Sequence, residues 1–165
     1  MKTRPTLLAP GAGLVLAALT LGMATPAASA QTPLPGGFEI RLLPGFAYQP
    51  RRGIDSIVGV IAKKDGLQIQ FDMGGVVLPG APRFGGSYVN QALAVPEKDR
   101  LWAKEQEVGG QKFHVTYGKE HQLIVSTATA KMGVSFYVVA KTPEEVADVL
   151  LMVLTLAEQK PKKDK

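Results

Sequence analysis

Two glycine-bearing turns constrain this chain more than any other feature. Asp65-Gly66 and Gly109-Gly110 each stand between two runs in which apolar and polar residues alternate. Alternation with a period of two is the mark of a half-buried strand. A tight turn between two such runs needs positive φ, which glycine adopts without a steric penalty, so each unit reads as an antiparallel hairpin. In the first, 55–64 meets 67–74 across a two-residue turn. That register sets Ala62 opposite Ile69, Val60 opposite Phe71 and Val58 opposite Met73 on an apolar face. Lys63 then faces Gln68, Ile61 faces Gln70 and Gly59 faces Asp72 on the other. In the second, 101–108 meets 111–117. Trp102 faces Tyr117, and Phe113 and Val115 share their side, while Glu105 faces His114 and Glu107 faces Lys112 on the polar side.

The rest of the chain supplies more strands and one helix. Residues 38–43 alternate, Pro44-Gly45 turns the chain, and 46–49 read as a short return strand. Residues 122–128 and 134–140 are two further strands; the second is apolar on both faces and belongs in the middle of a sheet. Residues 88–95 fit either a strand or a helical turn. Thr142, Pro143 and Glu145 form a capping box with proline at the first helical position. From Val146 to Ala157 only Asp148 and Thr155 are polar, so the helix must bed deeply on the sheet, be overlaid, or meet a partner. The fold class is α+β: an antiparallel sheet of six to seven strands with the long C-terminal helix packed on one face.

The first 30 residues have a different character. Lys2 and Arg4 precede an apolar run densest from Leu14 to Met23, and Ala28 and Ala30 give the small-residue pattern of a signal-peptidase site. The run is about half the roughly 20 residues a membrane span needs. Residues 1–30 therefore read as a secretory signal and 31–37 as an extended leader without strand or helix signals. Residues 38–159 then form a single domain, and 160–165 a basic disordered tail. The mature protein is exported, periplasmic or extracellular after cleavage near Ala30, with no transmembrane span once the signal is gone. It has no cysteine, so its stability rests on its core.

The formal net charge of +5 comes from the ends. Between 31 and 159 there are 13 basic and 13 acidic residues, and a nucleic-acid partner would ask for a basic domain surface. Two histidines and no cysteine offer no zinc spacing, and neither a metal nor a cofactor is indicated. No serine sits in a GxSxG elbow. His114 beside Glu105 is half of a catalytic relay in form, but cross-strand charge pairing accounts for it. Arg51, Arg52 and Asp55 form a potential ionic cluster that could take a carboxylate or phosphate.

The glycine- and proline-rich stretch 74–87 carries Val76, Val77, Leu78 and Phe84, with Arg83 its one charge. It reads as an apolar flap, and its neighbours define the candidate binding surface: Asp72, Gly74, Gly75, Arg83 and Phe84. The order of parts, from LPGFAY through antiparallel strands to a closing helix at TPEEV, resembles the small PsbP/Mog1-like α/β/α sandwich domains, including exported bacterial members. The resemblance covers most of 38–159 and implies a binding or assembly role rather than an enzyme. It carries over no functional residue, and a clear second helix is missing from the pattern. The reading is an exported accessory or binding module whose partner is another envelope protein or a small ligand. The alternatives are a small secreted hydrolase using Asp55, Ser56 and a histidine, and an envelope protein that self-associates through its helix.

Overall fold

The computed structural model describes residues 30–64, 66–75, 91–129 and 132–159. Its elements run β1 (Gln31–Leu34), β2 (Phe38–Arg41), β3 (Phe46–Pro50), β4 (Ile57–Lys63), β5 (Gln68–Gly75), α1 (Gln91–Ala94), β6 (Arg100–Val108), β7 (Gln111–Gly118), β8 (Gln122–Ala128), β9 (Met132–Val139), α2 (Pro143–Val153) and β10 (Ala157–Glu158). Seven strands form one sheet in the order β3-β4-β5-β9-β8-β7-β6, and β1-β2-β10 form a sheet of three. Every pairing is antiparallel. The α+β class with a C-terminal helix is thus as the sequence implies.

One face of the large sheet makes the core. Ile61, Ile69, Phe71, Met73, Phe113, Leu123, Val125, Val134 and Phe136 are buried together with Phe38 and Ile40 of β2 and Val149, Met152 and Val153 of α2. We call this the inner face. The central position of β9, between β5 and β8, agrees with its doubly apolar sequence.

The second hairpin forms as its sequence dictates. Gly109 and Gly110 take φ of 59° and 80°, and Trp102 lies opposite Tyr117, Glu105 opposite His114 and Glu107 opposite Lys112. The first hairpin differs by one residue. Lys63 N–H donates to Leu67 O at 3.0 Å, so the connection runs over 64–66 rather than 65–66. Ile61 therefore faces Ile69, Gly59 faces Phe71 and Ile57 faces Met73. A slip of one residue exchanges the two faces of a strand. It turns Ile57 and Ile61 inward and leaves Val58, Val60 and Ala62 on the outer face. Gly59 explains why this register is preferred. A Cβ on Gly59 would lie 2.7 Å from Phe71 Cε1 and 2.8 Å from Tyr48 Cε2. The space above Gly59 is filled by those two rings, whose centroids are 5.8 Å apart.

Other expectations are corrected by longer-range bonds. Residues 31–34, read as a leader without strand signal, pair with β2 along their length. Strands β2 and β3 do not form a hairpin: β2 pairs with β1 and β10, whereas β3 pairs with β4. The Pro44-Gly45 turn, with Gly45 at φ 84°, is a corner between two sheets. Helix α2 has the predicted capping box but ends at Val153, short of Ala157. Thr155 Oγ1 donates to Met152 O at 2.6 Å and accepts from Arg41 N–H at 2.9 Å. That hydroxyl closes the helix and ties it to β2, and β10 then adds to the small sheet. The ambiguous 88–95 segment contains the short helix α1, while 88–90 lie outside the described residues. No helix among the described residues is long and apolar enough to cross a membrane.

The seat of Phe71 over Gly59 makes a direct prediction. Gly59→Ala should lower the unfolding free energy by about 1–3 kcal/mol, the usual cost of overpacking a filled site. Adding Phe71→Leu should recover part of that loss. Denaturant titration checks both, and a Gly59→Ala protein as stable as the parent would contradict the register.

Candidate functional site

The outer face of the large sheet is divided in two. Over β7 and β8 it is covered by α1, whose Ala92 is fully buried. The contact is made by hydrogen bonds that suit a buried backbone: Ala92 N–H donates to Ser126 Oγ at 3.0 Å, and Thr116 Oγ1 donates to Ala92 O at 2.6 Å. So short a helix cannot satisfy its own last carbonyls. Arg100 does so, its Nε donating to Val95 O and its Nη2 to Leu93 O at 2.6 and 2.9 Å.

Over β4, β5 and β9 the outer face carries two hollows among the described residues. A groove of about 400 Å³ is lined by Arg51, Val58, Val60, Gln68, Gln70, Asp72 and Tyr137 among others. It continues, through Gln68, Gln70 and Tyr137, into a second hollow of about 480 Å³ that reaches Gln122, Lys141 and Glu145. The alternation of β5 builds this surface. Ile69, Phe71 and Met73 go inward, so Gln68, Gln70 and Asp72 must come out on the other side.

Asp72 is the unusual member. It stands opposite Val58 on one side and Ser135 on the other. Its Oδ1 is buried and has no hydrogen-bond partner among the described residues. A buried acceptor left without a donor costs roughly 1–3 kcal/mol. The expected glycine opposite Asp72 is in fact Val58, and the room at Gly59 is taken by Phe71.

A line of polar residues leads away from Asp72 across the sheet. Ser135, Ser126, His114 and Glu105 occupy successive paired positions. Ser126 Oγ lies 2.9 Å from Ser135 Oγ. His114, whose side chain is only 16% exposed, has its Nδ1 3.5 Å from Glu105 Oε2. It is thus on the outer face, as read, but largely covered rather than wet. Glu105 also meets Lys112 Nζ at 2.7 Å, and that hydrogen bond holds its carboxyl below the usual carboxylate range. Because the folded value is depressed, the contribution of this exposed pair is complete above the ordinary range and fades as pH falls through the lowered value.

The other candidates are dispersed. Gly74 and Gly75 end β5 and line a separate hollow of about 380 Å³ with Asp55 and Ser56. Arg83 and Phe84, with the rest of 76–90, lie outside the described residues. Arg51 lines the Asp72 groove while Asp55 lies in the other hollow, so the proposed ionic cluster is not one site. Neither histidine joins Asp55 and Ser56: His114 meets Glu105, and His121 Nδ1 lies 2.8 Å from the Tyr117 hydroxyl. The hydrolase constellation is not assembled. Among the described residues no group of three or more His, Asp or Glu side chains could hold a metal.

Sequence reading missed Gln68, Gln70 and Tyr137 as site residues. The signal was present: Gln68, Gln70 and Asp72 are polar at every second position, so they share a face.

The fold has a solved counterpart. No protein-family model matches the chain, and a comparison with curated proteins finds no match. Among solved structures it is similar to cyanobacterial PsbP (CyanoP) from Synechocystis sp. PCC 6803, with a TM-score of 0.51 and 12% identity over 83% of this chain and 96% of that one. The chain has a PsbP-like fold, as its order of parts implies, and at this identity the likeness concerns the fold alone.

If Asp72 is held at a cost, replacing it should relieve the protein. Asp72→Val, a strand-forming residue facing Val58, should raise the unfolding free energy by about 1 kcal/mol. Thermal and denaturant unfolding measure this. A loss of stability of similar size would show that Asp72 makes a stabilising contact instead.

Proposed function

We propose that the protein is an exported accessory or binding module that works without catalysis and engages its ligand or partner across the open half of the outer sheet face. One observation carries this reading: Asp72 Oδ1 is buried without a partner among the described residues, in a groove lined by Gln68, Gln70, Tyr137, Val58, Val60 and Arg51 among others. Such a group offers an acceptor to a donor that the described residues do not supply. Both histidines are engaged elsewhere, His114 with Glu105 and His121 with the Tyr117 hydroxyl. Export is supported by the character of residues 1–30, a basic start, an apolar run and the Ala28/Ala30 pattern. The PsbP-like layout fits an accessory role.

The experiment is a comparison of variants in capture from the envelope extract of the source organism. The wild-type protein should retain a ligand or partner that Gln70→Ala/Asp72→Val releases by at least about tenfold, since truncating central contacts commonly costs that much. The variant should melt no lower than the wild type, so that lost retention is not lost folding. Equal retention by the two would remove the outer face from the function.

A further inference from the structure

The groove also specifies the kind of ligand, and this step rests on the binding reading above. We propose that the open half of the outer face is a saccharide site that takes a neutral, polyhydroxylated chain. The ring of Tyr137 lies against a sugar face, and Gln68, Gln70 and Asp72 meet its hydroxyls.

Charge is the first argument. The groove and its continuation hold Arg51 and Lys141 against Asp72 and Glu145. This balance selects neither a polyanion nor a polycation. A phosphate site would gather several donors of one sign, and this surface does not.

Hydrogen-bonding capacity is the second. Each glutamine amide offers a donor pair and an acceptor, and a sugar hydroxyl both donates and accepts. Asp72 accepts only, and its buried Oδ1 has no donor among the described residues. A hydroxyl supplies the missing donor while leaving the local charge unchanged.

The arrangement is the third. Gln70 and Tyr137 are direct cross-strand partners, so an aromatic ring with a polar tip stands beside an amide at the point where the two hollows meet. From Gln68 to Asp72 the strand runs about 13 Å, which suits an oligosaccharide better than a single sugar. The two hollows, about 400 and 480 Å³, are within the usual range for ligand sites.

A peptide fits less well. Peptides that add to sheets bond to a free strand edge. Here β5 is paired on both sides, with β4 and β9, so its backbone is spent.

The test is an amide-shift titration of the isotope-labelled full chain with chitohexaose and, separately, maltohexaose as neutral probes. At least one should give saturating shifts confined to 58–60, 68–72 and 135–139. Tyr137→Ala should weaken that binding by about tenfold or more, whereas Tyr137→Phe, which keeps the ring, should stay near the parent. Asp72→Val, expected to fold at least as well, should weaken it too. Shifts elsewhere, or equal affinity for Tyr137→Ala, overturn the proposal. If neither sugar shifts these amides but a pool of tripeptides or inorganic phosphate does, the ligand class is wrong and the binding reading stands. If no probe shifts them and envelope capture is indifferent to Gln70→Ala/Asp72→Val, both fall.

Discussion

The polar groove exists because Phe71 sits over Gly59. With no side chain at Gly59, the rings of Phe71 and Tyr48 can occupy the inner face above it. Phe71 then continues to Phe136, 5.9 Å away between ring centres, and so to the centre of the core. This contact fixes which residue of β4 meets which of β5. Since a strand has two faces, fixing one inward residue fixes every outward one. Gln68, Gln70 and Asp72 are on the outer face as a consequence of where Ile69, Phe71 and Met73 must go.

The two halves of the outer face are treated differently by the chain. Over β7 and β8 the polar side chains Thr116 and Ser126 are spent on the backbone of α1, and the surface is closed. Over β5 and β9 the polar side chains project into open hollows, and one of them, Asp72, has a buried oxygen with no donor among the described residues. Buried polar groups are nearly always satisfied, so this exception is what the proposed binding role rests on. The same reasoning separates Asp72 from Glu105. The latter is exposed, paired with Lys112, and needs no ligand to explain it.

Much of the fold was legible because the deciding contacts are local. The Gly109-Gly110 hairpin and the Thr142 capping box each involve residues a few positions apart, and both appear as read. The Asp65-Gly66 hairpin was recognised but given the wrong register. Asp-Gly serves a two-residue turn and also a three-residue loop, and the choice between them was made by Phe71 and Gly59, outside the turn. The small sheet was legible only in its strand β2, from the alternating run 38–43. It depends on contacts such as Gln159 Nε2 to Phe38 O and Arg41 N–H to Thr155 Oγ1, between opposite ends of the chain. For the same reason β2 and β3 looked like a hairpin. In the candidate site, Asp72 was found from its acid in an alternating run. Gln68, Gln70 and Tyr137 were passed over, because a glutamine or a tyrosine in a strand draws no notice until the topology puts β5 beside β9.

The pairing of β4 with β5 is the claim on which the groove depends, and interstrand proton contacts measured by nuclear magnetic resonance test it most directly. The structure predicts cross-strand contacts between Gly59 and Phe71 and between Ile61 and Ile69. Contacts joining Val60 to Phe71 and Ala62 to Ile69 would contradict it, and would bring Gly59 rather than Val58 opposite Asp72.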